Sequence, residues 1–431
     1  MAGVPIAAKR GGSRSIAAGS RGNLLACRQE VLRRRFIAHA VLTLLVAAPC
    51  SARAQDSQPT SAVHDHSPAS AWQWTPDANA FFGFNYQHRK FTDFRAWESQ
   101  NWFMLDGERD AGSGRFNLTG MISLEPFTLK ALGSPQVFQT GETYQSAPLI
   151  DYQHPHDLLM RLGATYRMER RGVSTTLGAD LVGSPALGPA PFMHRASARN
   201  NPQVPLTHHF LDSTHITTGV VSAGIGIRSV TIDASVFRGE EPNENRLNID
   251  RPRLNSWSLR GGWRRGAWSA QVSGAHLHQP EAYERYDITR LTASIEFTGS
   301  FKEQPLAVSL AWGENREIHG NLDGYLLEWD WQLTANSSFY GRGENTAKDI
   351  LGLGSLHPKG FIHFHPISRV AAGTLGYVWD LPHVRRGRLG IGADATAYRV
   401  SDNLLEPYGS PSSFHVFLRW RPGTASPHHI H

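Results

Sequence analysis

Long stretches of this chain alternate one apolar with one polar residue, and that period of two limits what it can fold into more than any other feature. Between 157 and 168, Leu158, Met160, Leu162, Ala164, Tyr166 and Met168 alternate with Asp157, Arg161, Gly163, Thr165 and Arg167, and only Leu159 interrupts the polar set. Between 321 and 333, Tyr325, Leu327, Trp329, Trp331 and Leu333 alternate with Gly324, Leu326, Glu328, Asp330 and Gln332. Near the end, Phe414, Val416, Leu418 and Trp420 oppose His415, Phe417, Arg419 and Arg421. Successive side chains of a strand point to opposite faces, whereas a helix repeats its apolar residues every three or four positions. Helical spacing is nearly absent, so the chain reads as all-β.

An alternating strand suits a soluble sandwich, which buries its apolar face against a second sheet. It also suits a membrane barrel, which turns that face to lipid. Length favours the barrel, because a tilted strand crosses a bilayer in about 9–11 residues and these stretches are of that size. The polar faces carry Gly, Ser, Thr and charges of both signs, as a wet lumen tolerates. Trp102, Trp263, Trp312, Trp331, Trp379 and Trp420 stand near segment ends, where interfacial girdles lie.

Sixteen segments emerge: 79–88, 99–106, 114–124, 157–169, 173–183, 215–227, 229–238, 253–264, 266–277, 286–299, 305–314, 321–333, 337–345, 368–380, 386–398 and 413–421. Connections after even-numbered segments are mostly turn-like, such as Arg170-Arg171-Gly172, Arg228 and Arg265. Those after odd-numbered segments are usually longer, above all 125–156 and 184–214. Tight turns on one side and free loops on the other are expected of an antiparallel transmembrane β-barrel, here of about sixteen strands with both termini on the periplasmic side.

The N-terminal end fits export. Arg33-Arg34-Arg35 precedes a short apolar run from Phe36 to Ala48, followed by Ala52-Arg53-Ala54. A basic region, an apolar run too short to span a bilayer and a small-x-small site make a secretory signal over 1–54, cleaved before Gln55. Nine of the 43 Lys and Arg fall in that segment but only one of the 37 Asp and Glu, Glu30. The basic pI therefore belongs to the signal, the remainder is slightly acidic, and nothing points to nucleic acid. Both cysteines, Cys27 and Cys50, also lie there, which leaves no disulfide or thiolate site in the exported part. Residues 55–77 read as a flexible N-terminal segment, 78–421 as the barrel and 422–431 as a C-terminal tail.

The signal, the missing cysteines, the alternation and the last segment Phe414 to Trp420 together resemble Gram-negative outer-membrane porins. The resemblance spans 79–421 as a pattern rather than a motif. It departs at the end, where Trp420 is followed by Arg421-Pro422-Gly423 and a tail to His431 instead of closing on an aromatic residue. The signal read by the barrel-assembly machinery is then internal, or the chain is not a standard substrate of that machinery. The resemblance implies that the loop after the fifth strand folds into the lumen and narrows it.

That loop contains "FMHRASARNNPQVPLTHHFLDSTH", residues 192–215, which has no period. A long aperiodic connection is uncommon unless functional or disordered. Here Phe192, Met193, Leu206, Phe210 and Leu211 offer packing, and five prolines restrict the backbone. It is expected to be ordered inside the barrel, with the loop 125–156 folded toward the lumen beside it. Arg161, Arg195, Arg199, Asp212, Glu328 and Asp330 are the candidate constriction residues, a mixed-sign set able to impose a transverse field on a passing solute. Arg115, Arg167, Asp180, Asp233, Arg260, Arg290, Glu296, Asp394 and Arg419 add charge to the inner face.

The pattern supports a pore for passive passage of small polar solutes or ions. A second reading is a barrel that binds or moves a transition metal, zinc or copper, through His154, His156, Asp157, His194, His208, His209 and His215, whose N and O donors suit such ions but whose spacing matches no fixed motif. A lipid-modifying enzyme ranks below both, since Ser213 beside His209 and His215 forms no nucleophile elbow; the chain is read as no enzyme. The acid-rich segment "GEEPNENRLNIDRPR" lacks the order of a calcium loop and reads as a solvated external loop. Expected partners are outer-membrane lipid, small polar solutes or metal ions and the assembly machinery, with a homo-oligomer left open.

Overall fold

The computed structural model describes residues 71–283, 285–318, 320–351, 367–382 and 387–423. The signal over 1–54, most of the segment 55–77 and the tail from 424 lie outside these residues.

The wall begins with β1 (Gln73–Arg89), which pairs through its first half with β3 (Asn101–Ala111) and through its second with β2 (Thr92–Glu98). β2 and β3 thus act as one wall strand interrupted at Ser99 and Gln100. The wall continues through β4 (Gly114–Ile122), β7 (Leu159–Arg170), β8 (Val173–Gly183), β9 (Thr217–Ile227), β10 (Val230–Phe237), β11 (Ser256–Arg265) and β12 (Trp268–Leu277). It runs on through β13 (Ile288–Phe301), β14 (Gln304–Glu317), β15 (Gly320–Thr334), β16 (Ser337–Lys348), β17 (Ser368–Asp380), β18 (Arg388–Val400) and β19 (Ser412–Arg421). β19 returns to pair with β1, from Ala80 opposite Trp420 to His88 opposite Ser412. The result is a closed barrel of sixteen antiparallel strands. Each of the sixteen segments read from the sequence overlaps one of them.

The burial pattern is inside out. On β17, Leu375, Tyr377 and Trp379 are 54%, 45% and 45% exposed, while Thr374 and Asp380 are buried. On β19, Phe414, Val416 and Leu418 face outward and Ser413, His415 and Arg419 face inward. A soluble sandwich would hide the first set and show the second. Closure also removes the free strand edges that an open sheet must protect. Turns on one side are tight: Arg171 and Gly172 both take positive φ, as do Lys302 and Glu303, and the backbone twist of such two-residue turns matches that of the strands they join.

Several expectations are corrected. Trp102 belongs to no girdle: it is buried with Met121, Met160, Phe192 and Met193. Met160 breaks the parity of its own strand, because β7 is offset there against β4 and Met160 is left opposite no partner, turned inward. Arg115 and Arg167, opposite each other on β4 and β7, keep the inner-face parity of buried Thr119 and are solvent-exposed near the tight turns. The loop 125–156 is more than a folded-in connection. After the short helix α1 (Glu125–Thr128) it forms a hairpin of β5 (Ser134–Tyr144) and β6 (Ala147–Gln153). Nearly all of β5 is buried, and Asn85, Gln87 and Glu98 of the wall hydrogen-bond to its first residues, so the hairpin stands within the barrel. A helix absent from the sequence reading, α3 (Asp402–Tyr408), closes on it, with Tyr408 and Phe138 ring centroids 4.4 Å apart.

Candidate functional site

The loop from β8 to β9 crosses the lumen, and its apolar anchors Phe192, Met193, Leu206, Phe210 and Leu211 are all buried. Its one α-helical turn, α2 (His208–Leu211), rests on the wall where β14 and β15 carry Gly313 and Gly324. A Cβ at Gly313 would overlap the Phe210 backbone, and one at Gly324 would press on Thr207 and Phe210. Two side-chain-free wall positions are what let the loop come this close.

Ion pairs hold it there. The Arg195 guanidinium donates from Nη1 to Asp212 at 2.6 Å and to the Ala190 carbonyl at 3.0 Å, and from Nε to Glu328 at 2.8 Å. Glu328 accepts a second charged bond, 2.8 Å from Arg342 Nε, and Arg342 also donates to the Gln203 carbonyl of the loop. Burial disfavours the charge on Arg195, but Glu328 and Asp212 overrule it and raise its pKa further. Burial likewise opposes charge on Asp212, and Arg195 and His208 hold its carboxyl far below the ordinary range. One step away, Arg199 reaches Asp330 at 3.0 Å, Asn200 donates to Asp330, and Arg419 donates to Asn200 and Asp380. Of the predicted constriction set, Arg195, Arg199, Asp212, Glu328 and Asp330 converge in this network. Arg161 stands apart, 4.0 Å from Asp180. The members of the network pair with one another across the loop and the wall, and so tether the loop.

The predicted histidines largely meet. His154, His156, His208, His209 and His215 line one cavity together with Asp157, Glu142 and Arg246. His208 and His215 ring centroids are 5.2 Å apart, and His156 and His215 are 5.4 Å apart. His194 does not join them; it lies 4.8 Å from Trp102. Most rings are oriented through Nδ1: His156 on Glu125 at 2.8 Å, His208 on Asp212 at 2.7 Å, His215 on the Asp212 carbonyl at 2.8 Å. His154 instead meets Glu142 through Nε2 at 2.8 Å. Burial pushes the His208 imidazolium down to about 4 despite Asp212, and burial with the fields of His208 and His156 pushes His215 well below its usual value. For His156, burial is outweighed by Glu125, which raises it. Burial also drives Asp157 up to about 7 against the pull of Arg246.

No family model and no curated protein matches the chain. Solved structures do. Pseudomonas putida OprB is 7% identical with a TM-score of 0.50, covering 81% of this chain and 94% of that one. An anion-selective porin from Comamonas acidovorans is 12% identical with a TM-score of 0.47, covering 81% and 100%. Salmonella typhi OmpF, solved in complex with daunomycin, is 8% identical with a TM-score of 0.47, covering 81% and 97%. The fold is porin-like.

In this porin-like barrel a cavity lies between the inserted loop and the wall of β1 and β3. Its lining mixes Phe81, Trp102 and Phe192 with side-chain amides such as Asn79, Gln100 and Gln203. Three further features escaped the sequence reading. The loop between β10 and β11, expected to be a solvated external loop, folds over the histidines, with Arg246 donating to Glu142 and Asp157. Glu244 of the same loop accepts from Thr143 Oγ1 at 2.6 Å and from the backbone N–H groups of Gln145 and Ser146. Glu281, between β12 and β13, is buried and stands 3.3 Å from His209. The acid-rich run around Glu241 was the only signal for the first two; nothing around Glu281 marks it.

Proposed function

We propose that the chain is an outer-membrane pore of a Gram-negative bacterium through which small polar solutes cross by diffusion. The observation that carries the reading is the inverted burial of the wall, with Leu375, Tyr377 and Trp379 outward and Ser368, Thr374 and Asp380 inward, which suits lipid outside and water inside. The inserted loop and hairpin occupy the lumen, and the cavity beside β1 and β3 is lined mainly by amides and aromatic rings, its charged residues Glu125 and Arg199 being paired with His156 and Asp330. Such a lining favours small neutral or zwitterionic solutes over ions of one sign, since an amide offers hydrogen bonds of both polarities without a net field. The test is purification of the full chain into planar bilayers and swelling of proteoliposomes in isosmotic sugars and amino acids. Discrete conductance steps with weak cation–anion discrimination, and swelling that slows as solute size grows, are expected. A barrel with heat-modifiable gel mobility that gives neither conductance nor swelling overturns the reading.

A further inference from the structure

We propose that His209, Glu241 and Glu281 form a binding site for a divalent transition-metal ion, with zinc the ion the geometry fits, at the junction of three loops over the lumen. The proposal stands whether or not the barrel conducts. Among the described residues, this is the group of His, Cys, Asp and Glu whose donor atoms all lie within 4.8 Å of one another. The donors come from three separate connections: His209 from the inserted loop, Glu241 from the loop after β10 and Glu281 from the loop after β12.

His209 Nδ1 lies 3.3 Å from Glu241 Oε1 and 3.3 Å from Glu281 Oε1. Two donors bound to one tetrahedral ion at about 2.0 Å stand about 3.3 Å apart, so the imidazole already has that spacing to each carboxylate. The contacts are poor as hydrogen bonds. His209 Nδ1 and Glu241 Oε1 meet only as a long ion pair, and His209 Nε2, Glu241 Oε2 and Glu281 Oε2 are buried without a hydrogen-bond partner. Buried polar atoms are nearly always satisfied, so three orphans in one cluster point to an occupant that the protein atoms do not supply. The His209 and Glu281 side chains are each 9% exposed and Glu241 7%.

Charge agrees. Two carboxylates balance a 2+ ion with the imidazole neutral. One imidazole with two carboxylates suits zinc better than the all-oxygen sites of calcium or the thiolate sites of copper(I). Three protein ligands leave a fourth position, and the histidine-lined cavity beside His209 has room for one water-sized occupant. The hairpin accommodates the ligand ring: Gly141, at φ +133°, is the residue whose Cβ would strike the His209 imidazole.

The test is calorimetric titration of zinc into the full-length barrel in detergent. His64, His66, His428, His429 and His431 are replaced by Ala to remove capture by the terminal histidines. Binding of one zinc per chain is expected, weakening as pH falls because protons compete for the ligands. Glu241→Gln and Glu281→Gln keep shape but lose charge, and each is expected to weaken binding by more than the roughly tenfold that losing even an outer partner of a metal ligand costs. His278→Ala, an exposed histidine 2.9 Å from Asp287, is expected to bind as before. Cobalt substituted for zinc reads the site on the unmutated barrel, where visible absorption bands of a four-coordinate ion are expected. Absence of zinc binding and of those bands overturns the proposal. So does full affinity in the Glu241→Gln/Glu281→Gln double variant, or loss of binding in His278→Ala.

Discussion

Replacing Glu328 by Gln tests how the inserted loop is held. The carboxylate sits on β15, buried between Arg195 of the loop and Arg342 of β16, at 2.8 Å from each. Gln keeps the volume and one acceptor oxygen but removes the charge that both guanidiniums share. Arg195 retains Asp212 and the Ala190 carbonyl; Arg342 retains only the Gln203 carbonyl at short range. Leaving a buried charge without its counter-ion costs roughly 3–5 kcal/mol. The strand hydrogen bonds are untouched, so most of that falls on the docking of the loop. At 1.4 kcal/mol per tenfold, the undocked state gains a factor on the order of 10²–10³. Two assays read it. Trypsin cleaves after Arg195 or Arg199 only when the loop leaves the lumen, so the variant is expected to be nicked there while the parent barrel resists. Single-channel conductance is expected to rise and to fluctuate. A Glu328→Gln barrel with the protease resistance and steady conductance of the parent would refute the tether.

Other consequences follow from the same geometry. Acidification should loosen the histidine cluster. His208 is held neutral in the fold with a pKa of about 4 against about 6.5 when free, so the folded loop is unpenalised above pH 6.5 and loses stability progressively as pH falls from there to about 4. Single-channel recordings at pH 7 and at pH 4.5 check the direction, and conductance equally steady at both would count against it. Gly141→Ala should place a methyl against His209 and strain a backbone at φ +133°, lowering zinc affinity while the barrel keeps its heat-modifiable mobility. Leu375→Lys puts a charge on the outward face of β17 and should destabilise the barrel in lipid vesicles by about 2–4 kcal/mol if the site is near the bilayer midplane. Denaturant unfolding in vesicles measures it, and a shift within about 0.5 kcal/mol would argue that lipid does not touch this face.

The wall was legible because each strand meets two solvents, and the alternation of Leu375, Tyr377 and Trp379 with Thr374, Gly376 and Val378 records that difference one residue at a time. The hairpin of β5 and β6 was not, because both of its faces meet protein. In "SPQVFQTGETY" the polar Gln136, Gln139 and Glu142 are buried along with Val137 and Phe138, so no parity survives to be read. Met160 and Trp102 were misassigned for a related reason: the inserted loop supplies an apolar surface inside the lumen, and residues facing it look lipid-facing. The site was half visible. Unusual density marked His208, His209 and Asp212, but Glu281 and Glu241 gain their meaning only from loops that meet in space, a juxtaposition with no trace in local spacing.

The contacts of Asn200 and Arg199 bear on how the molecule is made. Asn79 of β1 donates to the Arg199 carbonyl, and Arg419 of β19 donates to Asn200, so one short piece of loop grips the first and last strands across the joint where the cylinder shuts. The two grips hold the same piece of loop at once only when those two strands have met. Full docking of the loop is therefore expected only as the barrel closes, and a chain whose ends have not yet zipped leaves Arg419 without one of the partners it was placed to find.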